Sequence, residues 1–118
     1  MDAQVTFKEI KDFLQNFVQE REWGQFHTPK NVSMKIAIEA AELMEKFNWI
    51  ESSASYDEVE NNRQEIEDEL ADVMIVALMF ANVTKIDVSQ AIKTKMAQNA
   101  QKYPVEKAKG RSTKYTKL

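Results

Sequence analysis

The sequence predicts an all-α protein, a four-helix bundle-type subunit whose core is completed by oligomerisation. Three observations lead there. The 118 residues include only two glycines and two prolines, whereas a β-sandwich or barrel of this length needs many tight turns built on those residues. Apolar residues recur at three- and four-residue intervals, and no stretch alternates with period two long enough to make a strand. All four Gly and Pro residues (Gly24, Pro29, Pro104 and Gly110) fall between the periodic segments. With 43% hydrophobic and 30% charged residues the chain can fold around a core, and its length suits one domain.

Thr6-x-x-Glu9 reads as a capping box opening a first helix, with Phe7, Ile10, Leu14, Phe17 and Val18 at helical spacing up to about Arg21. Thr28 as N-cap and Pro29 at the first helical position start a second helix, which runs through Ile36, Ala40, Leu43 and Phe47 to about Trp49. Ser52 to Tyr56 form a polar loop. A third helix is expected from about Asp57 to Val83, with first turns polar enough to fray. Asp87-x-x-Gln90 caps a fourth, with Val88, Ile92, Met96 and Ala100 on one face, and Pro104 stops it. The division is a helical catalytic domain over 1–104 and a Lys-rich tail over 105–118, expected as a mobile flap or extended arm.

There is no cysteine, which excludes disulfides, thiol nucleophiles and Cys-ligated metal sites. Met1 to Ile10 lacks the apolar core of a signal peptide, and the longest apolar run, Val73 to Ala81, is too short to span a bilayer. A cytoplasmic protein with no membrane partner is expected. The net charge of −3 hides a pattern. Residues 51–72 carry nine acids against one base, and residues 93–118 carry eight bases against one acid. That separation suits a metal and a small polyanion. An acidic centre repels a nucleic-acid polymer.

Certain acids sit where acids are costly. Residues 70–83, LADVMIVALMFANV, are apolar on every side except Asp72 and Asn82; residues 36–44, IAIEAAELM, are apolar except for Glu39 and Glu42. Helices that are apolar all round are buried, and a carboxylate inside one must be paired, protonated or metal-bound. Glu39-Ala-Ala-Glu42-Leu-Met44 also matches Glu69-Leu-Ala-Asp72-Val-Met74 position by position. Acids three apart share a helix face. If the two helices pack antiparallel, four carboxylates converge, a hard oxygen donor set for Mg²⁺ or Mn²⁺. A di-iron centre of Glu-x-x-His type does not fit, because the one histidine, His27, lies in a loop.

These residues resemble the MazG-like all-α nucleoside triphosphate pyrophosphohydrolases, whose E-x-x-E and E-x-x-D signature is met by Glu39, Glu42, Glu69 and Asp72. The flanks REWGQFHTPKN, ELMEKFNW, EDELADVMI, KMAQNAQKYP and KYTKL spread the likeness over most of the chain and most resemble the dCTP pyrophosphatase branch. Many members open the motif with a double Glu; here Ile38 precedes Glu39, as in that branch. The resemblance implies Mg²⁺-dependent conversion of an NTP to NMP and pyrophosphate, with the four acids as metal ligands and catalytic groups. It implies that Trp23, His27 and Trp49 frame the base. It also implies that Lys95, Asn99 and Tyr103, which share a face at i, i+4 and i+8, contact phosphate or sugar. Lys30 and Asn31 open the second helix, where an N-terminus favours anions.

Two helices apolar all round cannot both be covered by two amphipathic neighbours in so short a chain. A homodimer or homotetramer, with helix pairs from two chains in one bundle, is therefore expected. A reading of another class makes the chain a non-catalytic oligomerisation or interaction module with structural acids; indifference to Mg²⁺ would mark it.

Overall fold

The computed structural model describes residues 1–118 and contains helices, turns and loops but no strand. The chain packs as two compact units, Met1–Lys85 and Ile86–Leu118. The four long helices expected from the sequence are present, and no helix is long and apolar enough to cross a membrane.

In the first unit, α1 spans Phe7–Glu20. Its capping box forms as the sequence predicts: Glu9 N–H donates to Thr6 Oγ1 at 3.1 Å, and Thr6 N–H donates to Glu9 Oε2 at 3.3 Å. A left-handed Glu22 then turns the chain into a single 3₁₀ turn, Trp23–Phe26. α2 spans Pro29–Glu45, with Thr28 Oγ1 accepting from Asn31 N–H and proline in the first turn. The sequence carries α2 to about Trp49, but the helix stops earlier. Lys46 and Phe47 donate to Leu43 and Met44 instead of continuing the ladder, a tightening that satisfies terminal carbonyls.

The segment expected as a loop over Ser52–Tyr56 holds a 3₁₀ turn, Ser52–Ala54, and the start of a helix. The single helix expected over 57–83 is two, α3 over Ser55–Asn61 and α4 over Arg63–Thr84. Asn62 separates them at φ −129°, ψ 37°. Its side-chain amide donates to Glu58 Oε1 at 2.8 Å and sits 3.4 Å from the Glu58 carbonyl. Short polar side chains that bond the local backbone compete with helix in this way.

α4 packs against α2 and α1. The buried core is Leu14 and Val18 from α1, Val32 from α2, and Ile66, Val76, Leu78 and Ala81 from α4. Asn82, the polar residue in the apolar stretch of α4, donates its amide to the Lys11 carbonyl at 2.9 Å and so ties α4 to α1.

In the second unit, Asp87 Oδ1 caps α5, Val88–Lys102, by accepting from Gln90 N–H at 2.9 Å. The tail is not an extended arm. It holds a one-turn helix, α6 over Val105–Ala108, and a 3₁₀ turn over Tyr115–Lys117. Tyr115 meets Tyr103 edge to face, with ring centroids 5.9 Å apart. Sequence patterning gives no sign of this, because one ring pair leaves no periodic trace.

Candidate functional site

α2 and α4 run antiparallel. The residues at the C-terminal end of α2 meet the start of α4, where Lys46 Nζ lies 3.2 Å from Glu65 Oε2. Further along, Glu39, Glu69 and Asp72 each bring a carboxylate oxygen to within 4.8 Å of the others. Glu42 lies beside them, close enough to interact with both Glu39 and Glu69. The four acids of the repeated motif are thus brought together from two helices. Glu39, Glu42 and the C-cap residue Lys46 face Asp72, Glu69 and Glu65 in reverse order along the two helices.

The cluster is repulsive as it stands. Burial pushes the Glu39 carboxyl above the ordinary value of 4.5; Glu42 and then Asp72 push it the same way, while Lys35 opposes them. Burial also raises Glu69, with Glu42 and Asp72 adding to it and Lys46 opposing. Glu39 Oε2 and Glu69 Oε2 are shielded from solvent and have no hydrogen-bond partner. An ionised carboxylate can only accept, so neighbouring carboxylates cannot satisfy these atoms. A divalent cation can, and an all-oxygen donor set suits Mg²⁺ or Mn²⁺. The residues present fit such an ion.

The lysine next to the cluster escapes a reading of the two apolar windows alone, because Lys46 falls just outside the first. The mirrored spacing of α2 and α4 is the signal that finds it. The other acids of the region are surface groups: Glu67 pairs with Arg63 at 3.7 Å and Asp68 accepts from Gln64 at 2.9 Å.

The remaining candidates are distributed more widely. Trp23 packs edge to face on Phe17, with centroids 5.7 Å apart, and the Arg21 guanidinium covers the Phe17 ring at 3.7 Å. His27 is half-buried and lines a cavity of about 30 Å³ with Gln15, Val18, Gly24, Met79, Asn82 and Val83. Lys30 and Asn31 occupy the first turn of α2, exposed. The Asn31 amide is engaged, donating to the Phe26 carbonyl at 3.1 Å. Trp49, past the end of α2, is 92% exposed. Lys95, Asn99 and Tyr103 belong to the second unit, along one face of α5; Asn99 Nδ2 lies 3.8 Å from Met96 Sδ, and Tyr103 is the C-cap.

Known proteins resemble this chain over most of its length. dCTP pyrophosphatase 1 of Mus musculus is 34% identical over 115 residues, which is 96% of this chain and 68% of that protein. The Homo sapiens protein of the same name is 32% identical over the same shares. Among solved structures, a pyrophosphatase from Archaeoglobus fulgidus DSM 4304 matches with a TM-score of 0.79 at 41% identity, covering 82% of this chain and 91% of that one. The MazG-like family model matches residues 34–118, a span that contains all four clustered acids and the Lys95, Asn99 and Tyr103 face. By sequence, fold and this match, the chain belongs to the MazG-like family.

Proposed function

We propose that this chain is a Mg²⁺-dependent nucleoside triphosphate pyrophosphohydrolase that hydrolyses a deoxynucleotide, dCTP by likeness to its relatives, to the monophosphate and pyrophosphate. Kinship makes it a nucleotide pyrophosphohydrolase. The observation that carries the reading to residues is the antiparallel meeting of two acid pairs with two buried, unpartnered carboxylate oxygens.

In this reading Glu39, Glu42, Glu69 and Asp72 hold the metal, Mg²⁺ or Mn²⁺. When bound, such an ion polarises phosphoryl oxygens and lowers the pKa of a water. A carboxylate oxygen left free of the ion accepts the proton of the attacking water. Trp23, His27 and Trp49 frame the base. Aromatic faces stack on any base, and His27 adds a directional donor or acceptor. Lys95, Asn99 and Tyr103 bind phosphate or sugar, with Lys30 and Asn31 at the helix N-terminus. The exposed apolar side chains Met34 and Ile38 on α2 and Leu70 and Met74 on α4 support a homodimer or homotetramer. The expected location is the cytoplasm.

The test is pyrophosphate release from a panel of NTPs and dNTPs with Mg²⁺, with EDTA, and with Glu69→Ala. The expected result is release from dCTP that EDTA abolishes and that the variant loses by roughly 100-fold or more. Folded, metal-supplied protein that releases pyrophosphate from no nucleotide would reject the reading and leave the acids as parts of a structural interaction module.

A further inference from the structure

The C-terminal segment turns back through one glycine. Ala108 to Arg111 form a type II turn: Lys109 has φ −58° and ψ 125°, Gly110 has φ 75°, and Arg111 N–H donates to the Ala108 carbonyl at 3.0 Å. The third position of such a turn needs positive φ, which glycine adopts without strain.

Beyond the turn, the Tyr115 ring stands at 75° to the Tyr103 ring with centroids 5.9 Å apart. Lys102 Nζ lies 4.9 Å from the Tyr115 centroid, a cation–π distance. Tyr103 has already left the helix, at φ −123° and ψ 67°, and its backbone N–H still donates to Asn99. Tyr103 keeps 40% of its surface exposed. The ring pair gives its side chain a directional contact, because an edge-to-face arrangement has a preferred orientation.

We propose that Tyr115 is a positioning residue that aims the Tyr103 side chain at the phosphate or sugar of the substrate, with the Gly110 turn delivering it. The basic tail then acts as a strut. This rests on the reading of Tyr103 as a substrate contact. The residue that touches substrate is Tyr103; Tyr115 acts through it.

The experiment is a mutant cycle on the full chain: wild type, Tyr103→Ala, Tyr115→Ala and the double variant, with Tyr115→Phe and Gly110→Ala beside them. Each is read by KM and kcat for the best nucleotide, and by the Kd of a non-hydrolysable triphosphate analogue. Tyr115→Ala is expected to raise KM and Kd roughly three- to tenfold, the weight of one aromatic pair, with little change in kcat. Tyr115→Phe keeps the ring and restores both constants, which separates positioning from misfolding. Gly110→Ala, strained at its positive φ, reproduces Tyr115→Ala. The double variant is no worse than Tyr103→Ala, because groups that act in series are not additive. An additive double variant, or an unchanged KM in Tyr115→Ala while Tyr103→Ala raises it, overturns the positioning role alone. An unchanged KM in Tyr103→Ala overturns the substrate-contact reading and the strut with it.

Discussion

Glu39 and Glu69 each hold a carboxylate oxygen away from water with nothing to donate to it, so the cluster carries repulsion until a cation arrives. The sign of the resulting pH dependence follows from linkage. Both groups titrate above 4.5 in the folded chain. The native state therefore keeps protons that the unfolded state gives up. Their contribution to stability is most favourable below 4.5 and is lost as pH rises through the raised values. Glu69→Gln removes one of these charges and places an amide donor beside Glu42. In EDTA, thermal melts followed by circular dichroism should show the variant melting above wild type at about pH 8, with the gap closing as pH falls toward about 4.5. A variant that melts below wild type at the upper pH would mean that Glu69 is already compensated. Wild type should regain stability on adding Mg²⁺, by mass action on the folded state, and the variant should regain less. Glu39, Glu42 and Asp72 were legible in the sequence because each stands inside an apolar stretch, and Glu69, one position before its stretch, through the matched motif. Lys46 was not, because its partner Glu65 lies across a loop and a helix break.

At the level of elements, what the sequence reveals is what chemistry writes locally. The Thr6 and Glu9 capping box, the Thr28 cap with Pro29 behind it, and the Asp87 cap all form where their residue types predict. Thr6→Ala deletes one arm of the box and should cost roughly 1 kcal/mol. A melt followed by circular dichroism should fall by a few degrees, while turnover stays unchanged because the cap is no part of the acid cluster. An unchanged melting temperature would mean that α1 is held by its packing through Leu14 and Val18 alone. The boundaries that differ from the sequence pattern have local causes. Asn62 breaks the expected third helix through bonds to Glu58, and an asparagine inside a polar stretch looks the same on paper whether it bends the chain or not. The 3₁₀ turn at Trp23–Phe26 and the fold-back of Tyr115 are likewise too short to produce a period.

For the whole molecule, the balance between core and surface is the informative quantity. The buried side chains are seven, all in the first unit, while Met34, Ile38, Met44, Leu70 and Met74 are each more than 40% exposed. Covering the exposed half of one such side chain contributes about 1 kcal/mol, and a two-fold interface counts each residue twice. Ile38→Arg should therefore shift the protein toward smaller species in light scattering at micromolar concentration, with helix content retained. A wild type that runs as a monomer would remove the assembly from the functional reading. Trp49 has a separate consequence. The chain has two tryptophans; one leans on Phe17 and the other is 92% exposed just past the acid-bearing helix. An indole in water emits at the red end of its range, and an indole covered by a base or a neighbouring chain emits further to the blue. If Trp49 frames the base as proposed, the protein carries its own optical label for nucleotide binding, and a blue shift on adding nucleotide reads it.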